Sequence, residues 1–308
     1  MATLKETKAR IASVRSTLKI TSAMKLVASA KLRKAQQAAE NCGAYERELA
    51  SILDAISVAG ESIPVGVGND GLDLEGHGQP DRLSLPGEGF ESEAPSRVAV
   101  VALSSNSSLC GGFNNNVIKK ARGVIGEIGP DSVVLYAIGR KISDALAKSG
   151  LQSVRDYTEL SAHPSYAEAA ALADELVEGY TSGRYSKVVL VWNHFVSTST
   201  QKPLDETYLP FERKEGDSGS VEELMAQYLI EPDLKALYSE LLPKTLRLRI
   251  YSLLLDSAAA EHAARTVAMQ TATDNGNEIL EDLTLEYNKA RQAKITAEIL
   301  DLAGGQQE

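Results

Sequence analysis

The stretch SSNSSLCGGFNNN, residues 104–116, gathers the residue types from which a phosphate-binding loop or a thiol nucleophile is built. Paired glycines, several hydroxyls, Cys110 and a run of asparagines lie between an apolar run and a helical pattern, where a dinucleotide fold would cradle phosphates. The spacing fits neither G-x-G-x-x-G nor G-x-x-x-x-G-K-[ST]. The plainer reading is a tight strand-to-helix turn at Gly111 and Gly112, with Asn114 or Ser108 as a cap. No His or acid stands near Cys110 in a recognisable nucleophile signature. The run STST, residues 197–200, leaves a strand pattern and reads as a polar edge. His262 lies alone in a helical pattern, beside the i, i+4 pair Glu261 and Arg265. The two cysteines, Cys42 and Cys110, and the four histidines show no metal-ligand spacing, and this usage fits a reducing compartment. No catalytic constellation emerges, so neither cofactor nor metal is expected, and a connector or mechanical role fits better than an enzyme.

What remains is charge. Residues 19–36, KITSAMKLVASAKLRKAQ, carry five positive charges and no negative one, in a chain whose net charge is −10. Near the other end Arg291, Gln292, Lys294 and Thr296 crowd an Ala-rich length that composition alone would read as a solvated helix face. The acidic balance argues against a general nucleic-acid binder. Of the 308 residues 43% are hydrophobic but only 5% aromatic, so the core is built from Ala, Leu, Val and Ile. That profile favours helix-rich or α/β architecture. No segment reaches the roughly 18 apolar residues of a membrane span. The N-terminus has no apolar signal core, and its amphipathic pattern runs unbroken from Leu4, unlike a cleaved leader. A bacterial cytoplasmic protein attached to a larger assembly is expected.

The elements that hold these residues fall into four parts. Residues 1–60 form a helix: Leu4, Ile11, Leu18, Lys25 and Leu32 fall seven apart, and Thr7, Val14, Thr21, Ala28 and Ala35 follow three residues on. Such a helix would be roughly 80 Å long. Lys25 stands where this seam calls for an apolar residue. Residues 61–96 are acidic and crowded with Gly and Pro, and read as an exposed insertion without regular structure. Residues 97–240 alternate Val-rich runs (RVAVVAL, SVVLYAI, SKVVLVWNHFV) with helical patterns, which predicts buried parallel strands in a doubly wound α/β domain. Residues 241–308 return to long helix, with Pro243 at its start. Its seam runs through Ile250, Leu253, Ser257, Ala260, Ala264 and Val267, then Ile279, Leu283, Ala290, Ala297 and Leu300 after a phase shift. The expected fold class is α/β, a long antiparallel coiled coil of the two terminal helices attached to a compact sheet domain. On the residues alone, a static coiled-coil scaffold and an enzyme binding nucleotide at 104–114 both stay open.

Three motifs narrow this. KARIASVRSTLKITSAMKLVASAKLRKAQ (8–36), LCGGFN (109–114) and the pair EHAARTVAMQTATDN and LTLEYNKARQAKITAEI (261–299) together resemble the gamma subunit of F-type ATP synthase, over both terminal helices and one loop between. The resemblance implies a Rossmann-like domain at the foot of the coiled coil. It further implies a non-catalytic rotor standing inside a ring of three alpha and three beta subunits. The foot, with the epsilon subunit, would rest on a membrane ring of c subunits, at the cytoplasmic face of the bacterial inner membrane. Met24 and Lys25 match the family's coupling segment, and Arg291, Gln292 and Thr296 its beta-contacting positions. A basic collar would suit acidic loops of the ring. Asn106 and Ser107 stand where the family usually has Asp and Arg, Gly276 replaces a usual Ala, and the 61–96 insertion is outside the common pattern.

Overall fold

A computed structural model describes residues 4–59, 97–211 and 234–304, so the 61–96 insertion lies outside the described residues. Two helices dominate: α1, Leu4–Ala59, and a C-terminal helix of 71 residues, Leu234–Gly304, here α6. At 1.5 Å per residue they run roughly 84 and 106 Å. Between them lie β1 (Arg97–Leu103), α2 (Phe113–Ile128), β2 (Val133–Ile138), α3 (Arg140–Ala147), α4 (Thr158–Ala162), α5 (Tyr166–Thr181), β3 (Tyr185–Phe195) and β4 (Gln201–Leu209).

The sheet order is β2-β1-β3-β4, with β1 parallel to both neighbours and β4 antiparallel to β3. The three Val-rich runs are the parallel strands. The fourth strand was not expected: residues 197–200 form a tight turn, with Ser197 N and Thr200 N each donating across it, and the chain then doubles back. QKPLDETYL hides its strand because an edge strand tolerates proline and needs apolar residues only where it is covered.

Strand alternation sends β1 to two cores. Val100 and Ala102 join Leu135, Ala137, Val189 and Val191 beneath Val117, Ala121, Val124 and Ile125 of α2. Ala99, Val101 and Leu103 face the other way, with Tyr136, Ile138, Leu190 and Trp192, against α5 and the two long helices. Leu53 and Ile56 of α1 and Leu246, Ile250, Leu253 and Leu254 of α6 belong to this second core. The long helices thus form one covering layer of the sheet domain before they leave it. Each such side chain taken out of water contributes about 1.5–3 kcal/mol.

The two helices pair antiparallel, beside the sheet where Glu46 meets Arg249 and beyond it, where a hydrogen bond joins Thr21 to Thr273 and Leu18 lies against Gly276. The α1 seam is buried or half-buried at every expected position, including Thr7 at 2% exposure and half-buried Lys25. The α6 seam differs. Val267 and Ile279 are exposed, and the inward row beyond Met269 runs Thr273, Gly276, Leu280, Leu283, Tyr287 and Ala290. That row sets two leucines among small and hydroxyl residues, so the apolar residues alone misreport the phase. Ala297 and Leu300 are exposed for another reason: by this register α1 begins at about the level of Ala290, and among the described residues α6 continues alone past it. Pro243 falls inside α6 rather than at its start.

Candidate functional site

In an open parallel sheet, ligands bind at the C-terminal ends of the strands where the order reverses, here β1 and β3. That crevice is filled by α6. Cys110 and Phe113, from the loop after β1, pack on Ala260 and Ala264, with Phe195 alongside. The void left beside Leu103, Ser104, Ser257 and Glu261 is about 10 Å³, room for a single water at most. No group of residues suited to a metal ion occurs among the described residues.

The 104–114 loop is a joint. Asn114 holds its two sides together: Oδ1 accepts from the Ser105 backbone N–H (3.1 Å), while Nδ2 donates to the Ser105 hydroxyl (2.8 Å) and to Cys110 Sγ (3.1 Å). Neither Asn114 nor Ser108 caps α2; its N-cap is Gly112, with no side-chain bond. The Cys110 thiol is buried at 1% exposure, which suits packing and not attack. Asn106 donates to the Thr158 carbonyl (2.7 Å) and accepts from Arg140 N (2.9 Å), so it ties β1 to α3 and α4 without charge. Ser107 Oγ and the Ser108 carbonyl accept from Arg265 on α6 at 2.8 and 2.5 Å, and Arg265 also pairs with Glu261 at 2.6 Å. This arginine is 9% exposed.

Further ties join α6 to the sheet. Asp256 accepts from the Trp192 indole (2.9 Å) and the Phe195 backbone N–H (3.0 Å) and lies 2.8 Å from His194 Nδ1. Arg249 donates to Glu46 of α1 at 2.7 Å and to Glu206 of β4, and stacks over the Trp192 ring. Arg247 pairs with Asp174 of α5 at 2.7 Å. The two carboxylates hold the Arg249 guanidinium charged in spite of its burial. Sequence reading missed this set, because its partners are far apart in the chain and each looks like an ordinary surface charge.

The residues singled out from the motifs lie elsewhere, at two heights of the rod. Met24 and Lys25 are half-buried on α1. Arg291, Gln292 and Thr296 are exposed on α6, with the Thr296 hydroxyl turned back to the Gln292 carbonyl at 3.0 Å. Lys25 stands near the level of Met269, roughly 33 Å along the axis from Arg291, so the structure does not bring the groups together. Exposed apolar residues accompany both: Ile20, Leu26 and Val27 near the first, Ile295, Ile299 and Leu300 near the second. Leu26 is 70% exposed. The collar is therefore apolar as well as basic, which heptad reading could have flagged as apolar residues off the seam.

A family model described as ATP synthase matches residues 3–307. The chain is 44% identical to the ATP synthase gamma chain of Phocaeicola vulgatus, over 99% of both chains, and 43% identical to that of Bacteroides thetaiotaomicron, again over 99% of both. Among solved structures it is similar to a chain of the Euglena gracilis mitochondrial ATP synthase (OSCP/F1/c-ring, rotational state 3), with TM-score 0.57 and 17% identity over 98% of this chain and 93% of that one. It is also similar to a chain of the Tetrahymena thermophila central stalk and c-ring, with TM-score 0.51 and 21% identity over 82% and 99%. At those identities the solved structures speak for the fold, a long helical pair on a sheet domain, while the sequence match along nearly the whole chain carries the assignment: the protein belongs to the ATP synthase gamma-chain family.

Proposed function

We infer that the chain is the central rotor shaft of an F-type ATP synthase, coupling rotation of a membrane c ring to conformational cycling of the catalytic beta subunits. One observation carries the mechanical part of the reading. The two terminal helices share a single core with the sheet domain and then run on as a bare rod, whose tip, among the described residues, is one helix thick. A rod so seated can pass twist from its foot to whatever surrounds its tip.

The physics is linkage. The orientation of the shaft and the nucleotide state of a beta subunit bias one another reciprocally. A shaft that met all three beta subunits alike would shift none relative to the others. This rod is lopsided, because α6 overruns α1 and exposes a different set of side chains on each helix. The filled crevice and the buried thiol support a subunit that itself does no chemistry. No helix among the described residues is long and apolar enough to cross a membrane. That fits a peripheral subunit on the cytoplasmic face of the bacterial inner membrane, touching the membrane only through the c ring, with epsilon beside the foot.

Met24, Lys25, Arg291, Gln292 and Thr296 are proposed as contacts to the ring of three alpha and three beta subunits. The exposure of Arg291, Gln292 and Thr296, and the bare apolar residues beside both groups, support this. Lysine and arginine give contacts that break and re-form at each step, and Leu26 or Ile299 gives area that binds without direction. Reconstitution with alpha and beta subunits tests the reading. One copy of this chain per ring, with ATP turnover that depends on it, is the expected result. Arg291→Ala with Gln292→Ala is expected to weaken coupling while leaving the circular dichroism of the sheet domain unchanged. Unimpaired proton-driven synthesis in that double variant would remove the site assignment.

A further inference from the structure

The polar ties between α6 and the sheet domain have an arrangement that burial does not require. Successive residues turn about 100° around a helix. Arg249 and Asp256 therefore share one face of α6, and Arg247 and Arg265 share the opposite face. The partners divide the same way. Arg249 and Asp256 hold β4 and β3, through Glu206 and through Trp192, His194 and Phe195. Arg247 and Arg265 hold α5 and the loop after β1, through Asp174 and through Ser107 and Ser108. The four ties span roughly 27 Å of the axis.

We propose that these four ties are the torque coupling of the rotor, a key that stops the shaft from turning in its seat when the foot is driven. The proposal rests on the rotor reading and says which residues make it work. The apolar seat alone is poorly suited to the task. Hydrophobic contact is non-directional and proportional to buried area, which changes little when a cylinder turns a few degrees against a surface. Charge-assisted hydrogen bonds to a carboxylate or a guanidinium have set distances and angles, so a small tangential slip costs them at once. Ties on opposite faces act as a couple. They oppose rotation in either direction and cancel the sideways load that ties on a single face would put on a slender rod. Trp192 joins the two ties of its face, with its ring under the Arg249 guanidinium and its N–H on Asp256. Glu46 extends the Arg249 tie to α1, so both helices are keyed.

Trp192 is the only tryptophan of the chain, which gives the full-length protein a built-in reporter. Asp256→Asn places an amide donor against the indole N–H, and the emission maximum is expected to shift, whereas Lys294→Gln, far out on the rod, leaves it in place. The decisive measurement uses the ring-bound complex fixed to a surface, with a bead on the foot at Lys148→Cys in a Cys42→Ser background. The width of the bead's angular fluctuation between ATP-driven steps reads the stiffness of the foot-to-shaft joint. Arg249→Gln with Asp256→Asn removes both ties of the Trp192 face, two of the four, which share no partner with the ties of the other face, so the angular variance is expected to rise about twofold. On the other face, Asp174→Arg alone should widen it, and adding Arg247→Asp should restore it, which a role in folding alone would not produce. Wild-type width in the two-tie variant, or no recovery in the swapped pair, overturns the proposal. A wild-type chain that fails to support ATP turnover by the ring overturns the rotor reading itself, and the key with it.

Discussion

Residues 247–265 of α6 lie between a sheet, a helix and a loop, while residues 273–300 of the same helix face one partner and then, among the described residues, none. In the first stretch Ile250, Leu253 and Leu254 are buried in the main core, and four charged residues reach across to fixed partners. In the second the inward row is Thr273, Gly276, Leu280 and Leu283, and large apolar residues such as Ile279, Leu285 and Ile299 are exposed. One helix thus serves two purposes by changing its inward face. Bulky apolar and charged groups fix it to its own domain. Small groups let the second helix close in to a thin rod, and the outward surface is left for other chains.

The contrast breaks most visibly in the core. Leu53→Ala, at a position with 1% exposure, is expected to destabilise the chain by about 2–5 kcal/mol, read as a lower midpoint in urea. Leu285→Ala, exposed on the rod, should stay within about 0.5 kcal/mol. Equal losses at the two positions would mean that the rod contributes as much to stability as the core of the sheet domain.

Next in size are the charges. Arg265→Leu strips a hydrogen-bonded arginine from Glu261, whose side chain is only 15% exposed, and frees the Ser107–Ser108 loop; a loss of about 2 kcal/mol is expected in the same titration. Lys294→Leu breaks an exposed pair with Glu298 and should cost less than about 0.5 kcal/mol.

Legibility in the sequence follows the same division. The α1 seam was readable because Leu4, Ile11, Leu18 and Leu32 mark it, and the parallel strands because burial on both faces demands continuous Val-rich runs. The outer α6 seam was misread at Val267 and Ile279 because its true members are Thr, Gly and Leu, with little contrast against the solvent face. β4 escaped because a half-covered edge needs few apolar residues. The ties of α6 were invisible for a deeper reason. Arg249 and Glu206, or Asp256 and Trp192, become partners only once the sheet order is known. Of the motif residues, Lys25 and Arg291 could be placed on helices but not at their separate heights.

A smaller effect belongs to pH. His262 lies near the outer end of the first stretch. Burial pushes its imidazole below the usual value; Glu261 partly opposes this, and Lys31 and Arg265 push further down. The folded chain therefore holds this proton less tightly than the unfolded chain. Its contribution to stability is complete above the usual histidine value of about 6.5 and is lost as the pH falls through and below it. Thermal midpoints should drop between about pH 7 and pH 5, and His262→Gln should flatten that slope. An equal slope in the variant would assign the acid sensitivity to other groups.

The smallest expected effect tests whether the thin rod depends on its glycine. Gly276 sits mid-helix, where alanine would gain about 1 kcal/mol of helix propensity. A Cβ added there would stand 2.7 Å from Leu18 Cδ2 and 3.3 Å from its Cγ. The atoms in the way are the far end of a half-buried side chain at the open part of the rod, and Leu18 can turn aside. At Gly139 the same Cβ would meet the Ser104 carbonyl oxygen at 2.2 Å, with φ at +99°, and nothing there can move cheaply. Gly276→Ala should thus change stability by less than about 1 kcal/mol. The displaced leucine should instead push the helices apart locally, measurable as a longer distance between spin labels at Thr17 and Asn277 than in the unsubstituted chain. A large loss of stability with no change in that distance would mean that the rod is as rigidly packed at this level as the sheet domain is at its core.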